Sequence, residues 1–85
     1  MILTFSAKAD KGYQKLPPKI QKKADKQLSY LINNYRYPSL RTKKMQGEDY
    51  FEARIDYHYR FTFHVKKNTI LILSIGMHDE GLGKK

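Results

Sequence analysis

The chain has 85 residues, which is enough for one small domain built around a single hydrophobic core. Its 17 basic side chains outnumber 8 acidic ones, and the formal net charge of +9 predicts a polyanionic partner, with nucleic acid first and an acidic protein second. The absence of cysteine excludes disulfides, thiolate zinc sites and a cysteine nucleophile, and no stretch approaches the ~20 apolar residues of a membrane span.

The first half of the chain predicts a short strand followed by two helices. Residues 1–5 form an apolar run of strand length that is too short for a signal peptide, so we expect a cytoplasmic protein. Ser6 is a good N-cap, Pro17-Pro18 separates the two helices, and Pro38 is expected to stop the second. The apolar positions share the spacing of amphipathic helices: Ala9, Tyr13 and Leu16, then Ile20, Ala24, Leu28, Leu31, Ile32 and Tyr35.

The second half predicts three strands with short connections. Residues 39–49 are polar and basic, and the strand segments are 50–56, 59–65 and 69–77. Apolar and polar residues alternate in the first two segments, whereas the third is apolar at nearly every position, as in a strand covered on both faces.

These elements predict a single α+β domain spanning residues 1–85. The order is β-α-α-β-β-β, with an N-terminal helical hairpin packed on one face of a mainly antiparallel four-stranded sheet. The opposite face is left free for polar side chains. Residues 79–85 contain two glycines and two lysines, and we expect them to form a flexible tail.

Each predicted strand of the meander supplies one polar side chain suited to phosphodiester chemistry. These side chains are Arg54, Arg60 and, at the end of the last strand, His78. An arginine fork pairs with two phosphoryl oxygens and stays charged, while a histidine transfers protons near neutral pH. The pattern therefore indicates a site that holds RNA and moves a proton.

The whole chain resembles the RelE/ParE toxin superfamily of toxin–antitoxin systems. The segments that carry the resemblance, each weak alone but in a common order, are Tyr13-Gln14-Lys15-Leu16-Pro17, Tyr37-Pro38-Ser39-Leu40, Lys43-Lys44-Met45, Tyr50-Phe51-Glu52-Ala53-Arg54, Tyr59-Arg60-Phe61 and Ile75-Gly76-Met77-His78. The late histidine is similar to the YoeB- and YafQ-like ribonuclease branches. The resemblance implies a RelE-like fold and a metal-independent endoribonuclease without a cofactor. Such an enzyme would cleave messenger RNA in the decoding site of the ribosome, in contact with 16S rRNA, and so inhibit translation.

The resemblance also implies roles for individual residues. His78 would act as general acid or base, and Arg60 and Arg54 would hold the scissile phosphate. Lys43, Lys44, Tyr59 and His64 would bind substrate. A cognate antitoxin would neutralise the toxin, and any oligomer would form through the antitoxin complex.

Other interpretations remain open at this level. Arg54 shares strand parity with Glu52 and Asp56 and would also suit a cross-strand ion pair on a wet face, and Arg60 and His78 would also suit solvated positions. His58 and His64 would lie about 20 Å apart on a straight strand, too far for one metal ion. ParE-like members of the superfamily inhibit DNA gyrase without cleaving RNA, and a basic RNA-binding module without catalysis is the third alternative.

One departure from the family pattern follows His78. Related toxins commonly carry an aromatic residue a few positions later, where this chain has Asp79-Glu80-Gly81-Leu82-Gly83. Base stacking from the C-terminal segment is therefore not expected.

Overall fold

A computed structural model describes residues 2–77 of the chain; Met1, His78 and the predicted tail 79–85 lie outside the described residues. The α+β class and the predicted order of helices and strands are confirmed. The elements in chain order are β1 Ile2–Phe5, α1 Ala7–Lys15, α2 Pro18–Asn33, a 3₁₀ turn Pro38–Leu40, β2 Lys43–Lys44, β3 Phe51–Arg54, β4 Tyr59–Lys66 and β5 Thr69–Met77.

The sheet has five strands in the order β1-β5-β4-β3-β2, rather than the four that were predicted. β1 runs parallel to β5, and the remaining pairs are antiparallel. The additional strand is the Lys43–Lys44 pair, which the polar composition of residues 39–49 does not predict. Backbone pairing does not require apolar side chains, and a short lysine-bearing edge strand discourages further pairing.

Helix α1 begins where the sequence predicts. Ser6 is its N-cap, and the Ser6 Oγ accepts a hydrogen bond from the backbone N–H of Ala9 at 3.0 Å.

Helix α2 begins at Pro18 but ends at Asn33, earlier than the expected stop at Pro38. Tyr35, which was assigned to the helical stripe, lies beyond the helix. Its ring packs 5.6 Å from Phe51 and 6.3 Å from Phe63, so sheet packing explains its apolar character.

The core lies between the two helices and one face of the sheet. Its buried side chains are Ala9, Leu16, Ile20, Ala24, Leu28, Leu31, Leu40, Ala53, Ile55, Phe61, Phe63, Ile70, Ile72 and Ile75. Helix α1 approaches β5 so closely that a Cβ at Gly12 would overlap the Ile75 carbonyl oxygen. Neither helix in the described part of the chain is long and apolar enough to cross a membrane.

Strand β5 is covered on one face only, contrary to the prediction from its apolar run. Ile70, Ile72 and Ile75 are buried, whereas Leu71 and Leu73 are half-buried. Strand alternation directs Glu52, Arg54, Arg60, Thr62 and His64 to this second face, which we call the open face.

Candidate functional site

The two strand arginines identified from the sequence lie opposite each other. Arg54 and Arg60 are Cα partners in the antiparallel register of β3 and β4, and both side chains are half-buried. Like charges at directly opposite positions destabilise a sheet, so this pair favours a negatively charged ligand. Within residues 2–77 the salt bridges are Lys23–Asp56 and His64–Asp49, so the alternative of a cross-strand ion pair of Arg54 is not observed there.

The turn between β3 and β4 orients both arginines. Arg60 Nη1 donates hydrogen bonds to the carbonyl oxygens of Asp56 and Tyr57 at 2.7 and 2.9 Å. The Arg54 guanidinium carbon lies 5.9 Å from the centroid of the Tyr57 ring, within range of a cation–π interaction. Changes in this turn would therefore move both cations.

Asp56 holds the turn itself. Its Oδ1 accepts hydrogen bonds from the backbone N–H groups of His58 and Tyr59 at 3.0 and 3.2 Å. Burial opposes ionisation of Asp56, but these hydrogen bonds and the Lys23 ammonium outweigh it, so the pKa of the carboxyl lies below its usual value. The turn is therefore held by an ionised carboxylate at neutral pH.

Arg54 and Arg60 open onto a pocket of about 230 Å³ that we call the basic pocket. Its lining residues are Arg41, Lys43, Glu52, Ala53, Arg54 and Arg60. Four cations and one carboxylate meet there, an arrangement suited to an anion with several oxygens. Arg41 was not identified from the sequence, because it reaches the pocket through a left-handed backbone conformation at φ 50° after the 3₁₀ turn.

Glu52 is the acidic residue of the basic pocket. It is 8% exposed, and its Oε2 is buried without a hydrogen-bond partner. A buried acceptor without a partner costs about 1–3 kcal/mol. The sequence suggested Glu52 only as a possible salt-bridge partner, and burial on the open face is a tertiary property that strand alternation does not reveal.

The register places Glu52 within a polar row that crosses four strands. Its Cα partners are Lys43 on β2 and Thr62 on β4, and Thr62 in turn pairs with Ser74 on β5. The Thr62 and Ser74 hydroxyl oxygens are 2.6 Å apart and satisfy each other. Glu52 is therefore flanked by a cation on one side and a closed hydroxyl pair on the other.

Gln27 of helix α2 positions the backbone at the edge of the basic pocket. Its side chain is buried, and its Nε2 donates to the carbonyl oxygens of Ser39 and Arg54 at 3.0 and 2.7 Å. Its Oε1 accepts from the Ser39 Oγ at 3.0 Å. Gln27 interrupts the apolar stripe of α2, and that polar interruption is the sequence signal that could have identified it.

The structure does not bring every predicted site residue into the basic pocket. Lys44 follows Lys43 on an exposed strand and so points to the opposite face. Tyr59 packs partly against the core, and His64 bonds to Asp49 Oδ2 at 3.1 Å outside the pocket. Their substrate contacts, like the role of His78 outside the described residues, stay predictions.

A second depression adjoins the basic pocket, and Arg54 lines both. We call it the tyrosine groove, because the stacked rings of Tyr30 and Tyr37, 4.2 Å apart, form part of it. Lys23 and Lys26 of helix α2 also line it. Aromatic faces beside lysines suit single-stranded nucleic acid, since bases stack and phosphates pair with the ammonium groups.

A family model described as the ParE-like toxin domain matches residues 18–80. Curated protein sequences include no match to this chain.

Solved toxin structures share the fold. The YoeB–YefM complex from Staphylococcus aureus matches with 26% identity and a TM-score of 0.77, covering 92% of this chain and 97% of that one. A YoeB/ParE toxin from Agrobacterium tumefaciens matches with 15% identity and a TM-score of 0.81, covering 92% and 99% of the two chains. The intact RelBE toxin–antitoxin complex of E. coli matches with 22% identity and a TM-score of 0.74, covering 89% and 94%.

Proposed function

Because the chain belongs to the ParE-like toxin domain family, within the RelE/ParE toxin superfamily, we propose that it is the toxin of a type II toxin–antitoxin system and cleaves messenger RNA. The observation that carries the proposal is the basic pocket, in which Arg54 and Arg60 lie opposite each other beside Lys43. A concave pocket with converging guanidinium groups suits one phosphodiester as its ligand better than it suits a protein partner with a flat surface.

In the proposed reaction the 2′-hydroxyl of one nucleotide attacks its own 3′-phosphate. The attack concentrates negative charge on the phosphoryl oxygens, and preorganised guanidinium groups stabilise that charge. Arg54 and Arg60 would bind the non-bridging oxygens, with Lys43 adding electrostatic stabilisation. His78 would exchange a proton with one of the two reacting oxygens.

The proposed partners follow from charge and from the related complexes. The Staphylococcus aureus toxin was solved with YefM and the E. coli toxin as RelBE, so we propose a cognate antitoxin here. The exposed lysines of helix α2, Lys19, Lys22, Lys23 and Lys26, suit contact with the ribosomal RNA backbone. A protein that acts on ribosome-bound messenger RNA works in the cytoplasm.

Transcript-end mapping after induced expression tests this proposal. Wild-type expression should arrest growth and create new transcript ends. Purified reactions, with ribosomes or with free RNA, then show whether cleavage needs the ribosome. Arg54→Ala should lower cleavage by about 10²–10³-fold, as for removal of one preorganised donor to a developing oxyanion.

Arg36→Ala is the matched control. Arg36 is exposed and lies 5.6 Å from the Tyr35 ring centroid, a cation–π geometry like that of Arg54, but it does not line the basic pocket. The Arg36→Ala protein should cleave RNA at the wild-type rate. Wild-type protein that arrests growth with all transcripts intact would contradict the ribonuclease proposal.

The ParE-like family match favours a second candidate function. In it, the protein would bind DNA gyrase and inhibit it without cleaving RNA. A DNA-damage response with intact transcripts, retained in Arg54→Ala, would support this candidate over the first.

A further inference from the structure

We propose that Glu52 is the general base of the cleavage reaction, accepting the proton of the attacking 2′-hydroxyl. This inference deepens the proposed function and depends on it. Phosphate binding by Arg54 and Arg60 does not require Glu52, and the sequence motifs gave this carboxylate no role in catalysis.

Glu52 differs from every other described acidic residue. Asp10, Asp25, Glu48 and Asp49 are exposed, and Asp56 is bonded to the β3–β4 turn. Glu52 is 8% exposed and lines the basic pocket with its Oε2 unpartnered. A buried oxygen that lacks a partner in the free protein is available for one supplied by a ligand.

A structural role as counterion does not explain this arrangement. A carboxylate that served only to neutralise the surrounding cations would form ion pairs with them. Within residues 2–77 no nitrogen of Arg41, Lys43, Arg54 or Arg60 lies within 4.0 Å of a Glu52 oxygen, since the salt bridges there involve other residues. The cations and the carboxylate line one pocket but are held apart.

The position of Glu52 suits a ribose beside a bound phosphate. Glu52 and Arg54 are two residues apart on β3, which places both on the open face at about 7 Å along the strand. Arg60 lies across from Arg54, and Thr62 lies across from Glu52. With the phosphate between the two arginines, the adjoining sugar would lie toward Glu52.

The proton and electron movements balance as follows. The Glu52 carboxylate takes the 2′-hydroxyl proton as the 2′-oxygen forms its bond to phosphorus. The bond from phosphorus to the 5′-oxygen of the next nucleotide breaks, and the 5′-oxygen takes a proton from a general acid. With Glu52 as the base, that role falls to the proton-exchanging group of the proposed function, His78. The products are a 2′,3′-cyclic phosphate and a 5′-hydroxyl, and Glu52 returns its proton to water.

The test compares Glu52→Gln with Glu48→Gln, the same chemical change at an exposed turn position. Single-turnover cleavage of an end-labelled messenger RNA on ribosomes should fall by about 10²–10⁴-fold in Glu52→Gln and stay at the wild-type rate in Glu48→Gln. Binding to the same RNA with a 2′-methoxy group at the cleaved nucleotide should be unchanged or tighter, because a negative charge has been removed. Thermal unfolding midpoints should agree within about 4 °C.

The pH dependence of the cleavage rate is a second measurement, and Glu52→Gln would not alter it if Glu52 had only a structural role. The wild-type rate should decline toward acidic pH, because a protonated carboxyl cannot accept a second proton, and Glu52→Gln should lack that decline. Cleavage by Glu52→Gln at the wild-type rate would overturn the inference and leave the proposed function standing. Loss of RNA binding or of folding in Glu52→Gln would make Glu52 a structural residue instead, and a wild-type protein that cleaves no RNA would remove both proposals.

Discussion

Gln27 and Glu52 are both buried polar side chains, but they lie on opposite faces of the sheet and differ in their hydrogen bonds. Gln27, on the helix-covered face, uses both ends of its amide on Ser39 and Arg54. Glu52, on the open face, keeps a buried oxygen without a partner. The comparison separates a buried amide that serves stability from a buried carboxylate oxygen that is left free for a ligand.

The largest expected effect is on the helix-covered face. Phe61→Ala removes a fully buried ring and should lower the free energy of unfolding by about 3–5 kcal/mol. Thr62→Ala, at the next position on the open face, removes a hydroxyl pair and should cost about 1 kcal/mol. Urea denaturation followed by circular dichroism measures both, and equal losses would contradict the contrast between the faces.

Gln27→Leu should destabilise the protein by about 1–3 kcal/mol, since it leaves the Ser39 and Arg54 carbonyl oxygens without their donor. It should also weaken RNA cleavage, because the backbone of Arg54 is no longer held. Gln14→Leu changes an exposed glutamine and should lie within about 0.5 kcal/mol of the wild type. Thermal unfolding and transcript cleavage, measured on both variants, check these expectations.

Glu52→Leu tests the comparison most directly, because we expect it to stabilise the protein, whereas Gln27→Leu should destabilise it. Removing a buried carboxylate with an unpartnered oxygen should raise the free energy of unfolding by about 1 kcal/mol while abolishing cleavage. The measurement is the thermal midpoint alongside single-turnover cleavage. A loss of stability as large as that of Gln27→Leu would mean that Glu52 is a structural residue like Gln27.

The smallest effect concerns pH and the turn that holds the arginines. The pKa of Asp56 lies below its usual value, so its contribution to stability is full above the unfolded-state pKa of about 3.9 and is lost as pH falls through the folded-state pKa. Asp56→Asn should therefore lower the thermal midpoint at pH 7, and the difference from the wild type should shrink toward pH 3. Glu48→Gln, at an exposed position, should show no such pH-dependent difference.

Much of the fold was predictable because it depends on local patterns. The helical stripes, the Ser6 cap and the strand alternation each act over a few residues, and these predictions were confirmed except for Tyr35, which lies beyond α2. The end of α2 and the fifth strand were missed. Tyr35 is apolar because it packs on the sheet, and the lysines of β2 pair through their backbone with Glu52 and Phe51 of β3.

The candidate site was predictable only in part. Arg54 and Arg60 could be paired from strand order, since a hairpin brings its two arms together. Arg41 reaches the site through its left-handed backbone conformation, and Gln27 through hydrogen bonds from α2 to the Ser39 and Arg54 carbonyl oxygens; neither feature has a local sequence period.

The sequence by itself determined the class of the protein and its basic charge, because composition and periodicity are properties of the chain. Its short motifs carried the resemblance to the family that the family model shows. Only the tertiary structure decided which charges share one pocket and which carboxylate lies buried among them without a partner. Burial and hydrogen bonding depend on how distant segments pack, and in this protein that packing sets Glu52 apart from the other acidic residues described.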